Sequence, residues 1–405
     1  MKRILTVLIG VYLFLIPWDG FFLLELNFPI SPSFLFLGLS ILIHFVLICS
    51  DSSPKLKAPK FLIPLFILLI YATFTLIWTT DINGGLIEVI TIWSYFLTII
   101  HIYTLINSRN IYVIYLLWYY IFGALTIGIY SIIRNGLLID RFTIIGGLNP
   151  SWYAAFLTWA IVACYVVYNK SKTPGKITAV LSAGTMIFIL ILTQGRTSIL
   201  ALSVSLIITI IIYFITEITV NRTINFKRLN SMHIKKLLIT TSIISIIGWG
   251  ISVVIVETGA SERLNRIAEI SELVSGDRDD ATAGRTIIWE RYTDILASTA
   301  AVGGGVNSSS DIYTKYYGIE NSPHNIYISI LVEYGVLGLL LWGTLILLIM
   351  KSAFQNNEMK FPLIWFAFIF TFLGIGNDIL YYKYWWIGLL IFVIIKNLDK
   401  IPIKK

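Results

Sequence analysis

Ser198-Ile-Leu-Ala-Leu-Ser-Val-Ser-Leu-Ile-Ile-Thr-Ile-Ile-Ile-Tyr-Phe-Ile-Thr216 carries no charge, no proline and no glycine. A helix of that length, rising about 1.5 Å per residue, reaches across the roughly 30 Å hydrocarbon core of a bilayer. Working outward from it, similar apolar runs recur along the chain, 57% of the residues are hydrophobic and only 13% charged. The mean hydropathy is +0.83. Such a composition excludes a soluble globular domain. Spans are expected at about 4–18, 33–50, 60–79, 85–106, 111–133, 152–169, 176–193, 198–216, 237–256, 325–350, 361–377 and 384–396. All should be helical, because lipid offers no water to unpaired backbone groups. The expected fold is thus an all-α polytopic membrane protein of about 12 transmembrane helices, one membrane domain over 1–405. Met1-Lys2-Arg3 and the apolar run after it resemble a secretory leader, but no small-x-small cleavage site follows, so this stretch reads as the first span.

On that topology twenty of the thirty Lys and Arg residues fall on one side, sixteen of them Lys, whereas eight of the ten opposite are Arg. The positive-inside rule assigns the larger group, and both termini with it, to the cytoplasm. Arg134, Arg141, Arg196, Arg263, Arg266, Arg278, Arg285 and Arg291 then sit where orientation disfavours cations. Guanidinium is suited to two-point recognition of phosphate, so an anionic phosphate ligand is expected at the extracytoplasmic surface. The net charge of +8 follows from topology and gives no reason to expect nucleic acid. Cys49 and Cys164 lie in or at the end of apolar segments and read as packing residues.

The long outer loop, residues 257–323, is where a site is expected. Leu264, Ile267, Ala268, Ile270, Leu273 and Val274 recur at helical spacing, and a second helix is expected from about Arg285 to Ser298 with Ile288, Tyr292, Ile295 and Leu296 on one side. Gly303, Gly304 and Gly305 should break it. No internal repeat is evident, which speaks against a transporter built from two related halves.

One histidine stands on the outer face, in Asn321-Ser-Pro-His-Asn-Ile-Tyr-Ile-Ser-Ile-Leu-Val-Glu-Tyr-Gly-Val-Leu-Gly338. A neutral imidazole at the mouth of a span can take a proton from an attacking hydroxyl, so His324 is the candidate general base. The plainer reading is a helix-capping histidine. Pro323, His324 and Asn325 opening a late span, followed by Glu333, Gly335 and Gly338, resemble the O-antigen ligase and polymerase superfamily. So do Gly195-Arg196-Thr197 ahead of an apolar span, Ala283-Gly-Arg-Thr-Ile-Ile-Trp-Glu290 in the loop and, more loosely, Asp140-Arg141 with Gly146-Gly147-Leu-Asn-Pro150. Together these cover roughly residues 140–380.

The resemblance implies glycosyl transfer from an undecaprenyl-diphosphate-linked sugar to an acceptor hydroxyl, in a fold similar to the GT-C class, without metal or other cofactor. Departure of a lipid diphosphate builds charge on phosphate oxygens that fixed guanidinium groups stabilise, which makes Arg285 and Arg196 the catalytic candidates beside His324. An intramembrane cation such as Arg196 is costly enough to imply function or pairing. Arg141, Arg291, Glu290, Asn325 and Glu333 are the candidate substrate-binding residues, with Glu290, Asp294 and Glu333 able to orient an arginine or His324. Asp277, Asp279 and Asp280 read as a solvated acidic turn, because nucleotide sugars, the usual donors for a metal-bound Asp-x-Asp element, are cytoplasmic. Glu88 is expected to pair with an arginine or to mark a helix end; His44 and His101 read as packing or helix-polar contacts, and sugar stacking on Trp289 or Tyr292 has no support in the sequence.

The function expected is an O-antigen or capsular polysaccharide polymerase of the bacterial plasma membrane, acting by an inverting displacement. The alternative is an O-antigen ligase passing glycan to lipid A-core, and a lipid-linked oligosaccharide flippase is the competitor from another class. The partners expected are the undecaprenyl-diphosphate-linked oligosaccharide, membrane lipid and a chain-length regulator protein.

Overall fold

The computed structural model describes residues 1–27, 30–49, 57–108, 111–136, 149–193, 195–220, 285–299, 301–376 and 382–398. Among these no strand occurs, and thirteen α-helices follow one another. They are α1 (Lys2–Leu15), α2 (Pro32–Cys49), α3 (Ile63–Thr75), α4 (Ile82–Asn107), α5 (Val113–Asn135), α6 (Pro150–Lys170), α7 (Thr173–Leu192), α8 (Arg196–Val220), α9 (Arg285–Thr299), α10 (Ser309–Tyr317), α11 (Ile326–Phe354), α12 (Lys360–Leu373) and α13 (Lys383–Lys396). The described residues are all-helical, as a polytopic membrane protein requires. Among them six helices, namely α4, α5, α6, α7, α8 and α11, are long and apolar enough to cross a bilayer. The remaining helices in the expected spans are shorter, and the expected span at 237–256 and the amphipathic run at 264–274 lie outside the described residues. The chain divides into two compact units, one of residues 1–205 and 287–405, the other of residues 206–286.

In the first unit the helices run alternately up and down. Lys57 N–H donates to Thr104 Oγ1, Tyr112 N–H donates to Thr6 Oγ1, Lys170 pairs with Glu358, and Asn356 Nδ2 donates to the Lys396 carbonyl. These contacts gather Lys2, Arg3, Lys57, Lys60, Lys170, Lys172, Lys176, Lys351, Lys360 and Lys396 at one end. Arg134, Arg196, Arg291, Lys315 and Lys383 fall at the other, so the segregation read along the sequence is also a segregation in space.

The core is aromatic. Trp159 of α6 stacks on Phe366 of α12 at 4.5 Å between ring centroids, and Phe370 meets Trp342 of α11 and Trp385 of α13 at 5.6 and 5.0 Å. Between apolar helices in lipid, close packing and dispersion rather than water exclusion supply the attraction. Close approach needs small residues: a Cβ on Gly123 of α5 would stand 2.2 Å from the Phe14 carbonyl oxygen of α1. α13 is short but buried on nearly every side, which suits a central helix rather than a lipid-facing one.

The first helix runs on past 18 into the stretch from 19 to 32, where Asp19 and Glu25 stand among aromatics and a half-buried extension of the first span is expected. A 3-10 turn at Ile16–Trp18 and a π-helical turn at Phe21–Glu25 prolong it, and Asp19 is buried there. Its carboxylate pairs with Lys383 at 2.6 Å and accepts hydrogen bonds from Ser33, at 2.9 Å, and from Ser31, so the start of the chain is clamped to α13. An acid this buried is tolerated because it is paired and fully hydrogen-bonded. His44 and His101 make the helix-polar contact expected of them, Nδ1 to Nδ1 at 3.0 Å, with Ser40 Oγ 3.0 Å from His101 Nε2.

Candidate functional site

Pro323-His324-Asn325 acquires a separate local reason for each residue. Asn325 is the N-cap of α11, its Oδ1 accepting from the Tyr327 and Ile328 N–H groups at 3.0 and 3.3 Å. Pro323 is buried, and its carbonyl accepts the Trp289 indole N–H at 2.8 Å. Between these two anchors His324 takes a left-handed conformation, φ +47°, and stands exposed. Backbone strain of this kind persists only where neighbours enforce it. Ser322 Oγ lies 3.3 Å from His324 Nδ1 and orients the imidazole.

The platform under this segment is the expected second loop helix, α9. Tyr292 and Ile295 are fully buried against Ile312, Tyr313 and Val332, with Ile288 and Leu296 packed beside them, so the face read from the periodicity is the one that docks. Tyr292 donates its hydroxyl to the Ser309 and Asn321 carbonyls, each at 3.1 Å. Buried and so engaged, Tyr292 offers no ring to a sugar.

Gly303–Gly305 do more than end α9. α11 is broken at Gly335, φ +64° and ψ −166°, so the Val332 and Glu333 carbonyls lose their place in the helical ladder. Gly304 N–H donates to the first at 2.8 Å and Gly305 N–H to the second at 3.0 Å. Contact this close tolerates no side chain: a Cβ on Gly303 would lie 2.2 Å from the Glu333 carbonyl oxygen, and one on Gly335 2.7 Å from that of Ala301. The turn between α3 and α4 grips the same loop from the other side, through Tyr71 Oη to the Val302 carbonyl at 2.8 Å, Trp78 Nε1 to the Gly303 carbonyl at 3.3 Å and Thr80 Oγ1 to Asp311 at 2.9 Å. Sequence spacing gave no signal for this second grip.

Several arginines of the outer set have partners within the protein. Arg134 forms an exposed ion pair with Glu25 at 2.9 Å. Arg291 donates to Tyr313 Oη at 3.2 Å and lies over the Tyr317 ring at 5.2 Å, while Tyr317 donates to Asp294 at 3.1 Å. The hydrogen bond to Tyr313, the largest influence, holds the Arg291 guanidinium pKa up. The place of Arg134 and Arg291 on the disfavoured side therefore has an explanation other than phosphate.

Glu333 is buried in α11, eight residues beyond the Asn325 cap, which at about 1.5 Å per residue sets it some 12 Å along the axis from the His324 segment. Its carboxyl is close enough to interact electrostatically with Glu88 of α4, to which Tyr334 Oη donates at 3.4 Å. Among the described residues the hydrogen bonding of Glu88 thus involves a tyrosine rather than the expected arginine, and its Oε2 finds no hydrogen-bond partner there. Glu290 is exposed on α9.

Arg196 is the first residue of α8, following buried Gly195, and its side chain lies outside what is described. Arg285 is the first residue of α9 and is half-buried. Arg141, Arg263, Arg266, Arg278 and the Asp277–Asp280 turn lie outside the described residues, as does all of the 140–150 segment except Asn149 and Pro150, which cap and open α6.

Residues 177–343 match the family model described as O-antigen ligase. That stretch contains Gly195–Thr197, Ala283–Glu290 and Pro323–Gly338, but not the looser 140–150 segment. No curated protein matches the chain.

Proposed function

We propose that this chain, whose residues 177–343 match the O-antigen ligase family model, is a bacterial polysaccharide polymerase acting on undecaprenyl-diphosphate-linked repeat units at the outer face of the plasma membrane. Members of the family are glycosyltransferase-like enzymes. The observation that carries the reading is positional: each of the three family segments opens a helix, Arg196 at α8, Arg285 at α9 and the His324-Asn325 pair at α11. A helix N-terminus is electropositive, so a cation placed there opposes the dipole, whereas an anion is welcome. Arg196 and Arg285 are the groups this reading assigns to the diphosphate.

In this reading the acceptor hydroxyl oxygen bonds to the anomeric carbon as the carbon–oxygen bond to the diphosphate breaks, the diphosphate leaving with the electron pair. His324 takes the hydroxyl proton. If Nδ1 donates to Ser322 Oγ, Nε2 keeps the lone pair this requires. Arg196 and Arg285 stabilise the charge that grows on the phosphate oxygens, and Arg141 contributes to holding the donor. Arg291, Asn325 and Glu333 take the structural parts described above, and Glu290 stays as a residue orienting the substrate. The excess of lysine at the opposite end supports cytoplasmic termini and an outward-facing site. A chain-length regulator is the protein partner of this reading.

Ligase activity is the second reading, favoured by the description of the matching family as O-antigen ligase. Purified protein given one defined lipid-linked oligosaccharide separates the two. A polymerase lengthens it with no other sugar acceptor, and His324→Ala should abolish that growth while leaving the protein folded. Transfer only on addition of lipid A-core would establish the ligase instead, and undiminished growth by His324→Ala would remove the assigned base.

A further inference from the structure

At the lysine-rich end of the first unit, far from His324, a cavity of about 470 Å³ opens between the ends of α3, α4, α11 and α13. Lys60, Lys351 and Lys396 line it, and no carboxylate is among the described lining residues. Lys396 lies over the Phe61 ring at 5.1 Å. Ser352 and Asn397 also line the cavity, both more than nine-tenths buried, and among the described residues neither Ser352 Oγ nor Asn397 Oδ1 has a hydrogen-bond partner.

Orientation by the positive-inside rule asks only that lysines lie on this side. It does not ask three of them to converge on one cavity from three helices, nor that buried polar atoms there go unpaired, since each such atom costs about 1–3 kcal/mol. A ligand with negative charge and a hydroxyl fits the set: ammonium groups and Ser352 Oγ–H meet phosphate oxygens, and Asn397 Oδ1 accepts from a hydroxyl. The cavity lies among helix ends, and lysine side chains are long enough to reach a lipid headgroup from such a position.

We propose that this cavity binds the phosphate of an anionic, hydroxyl-bearing phospholipid headgroup, such as that of phosphatidylglycerol. The site is independent of the glycosyl-transfer reading. Delipidated full-length protein in non-ionic detergent is titrated with phosphatidylglycerol, phosphatidylcholine or inorganic phosphate and binding is read by native mass spectrometry. Phosphatidylglycerol should bind best, with affinity falling about fivefold for each lysine replaced by glutamine and on the order of a hundredfold for Lys60→Gln, Lys351→Gln and Lys396→Gln together. Lys172→Gln with Lys176→Gln, which removes charge from the same end outside the cavity, should leave it unchanged. Should the triple variant not fold, Lys351→Gln alone, at an exposed position, still carries its fivefold. Equal binding by wild type and cavity variants overturns the site, and inorganic phosphate competing as well as the lipid overturns the lipid as its source.

Discussion

Replacing Gly303 by alanine tests the central feature of the site, the docking of a glycine loop on a broken helix. At φ +80° an L-residue costs about 1–2 kcal/mol. The added Cβ would also stand 2.2 Å from the Glu333 carbonyl oxygen, a backbone atom that cannot swing aside. The loop must therefore lift, and the hydrogen bonds from Gly304 and Gly305 to the Val332 and Glu333 carbonyls go with it. Losing two such bonds at about 1 kcal/mol each brings the total to roughly 3–5 kcal/mol when the freed carbonyls are left part-satisfied. Gly318→Ala is the matched control, since Gly318 has φ +71° and nothing within 4 Å of a new Cβ, so only the conformational cost applies. Amide exchange at Gly304 and Gly305 should then accelerate by about 10² to several times 10³ in Gly303→Ala, with tenfold per 1.4 kcal/mol, while Gly318→Ala leaves those amides unchanged. Chain growth should fall with the first variant only. Equal protection of Gly304 and Gly305 in both variants would refute the docking.

Trp289→Phe keeps the ring and removes the indole hydrogen bond to the Pro323 carbonyl, so chain-growth rate should drop with the melting temperature little changed; an unaltered rate would free the His324 segment from α9. Asn325→Ala should cost about 1 kcal/mol as a lost N-cap while Asn325→Asp keeps the cap, and comparing their melting temperatures with their rates separates capping from substrate contact. Asp19→Ala leaves Lys383 without its buried partner and should cost about 3–5 kcal/mol, whereas Arg134→Ala, which breaks an exposed pair, should cost under about 1 kcal/mol; thermal unfolding in detergent reads both, and similar losses would contradict the burial argument.

The sequence by itself determined what depends on neighbours a few residues apart. Apolar runs placed the helices, since length and the lack of water in lipid leave no other option, and the spacing of Ile288, Tyr292, Ile295 and Leu296 named the buried face of α9. The Gly303–Gly305 break was legible for the same reason. Which arginines already have partners was not, because Glu25 lies 109 residues from Arg134 and the Asp19 clamp spans 364 residues to Lys383. Only the tertiary structure decided that Arg291 faces two tyrosines, that Glu333 comes within electrostatic reach of Glu88, and that the Gly304 and Gly305 amides complete a helix broken at Gly335. A charge pattern states where a cation falls along the membrane normal; its partner is fixed by helix rotation and packing, which a linear pattern does not encode.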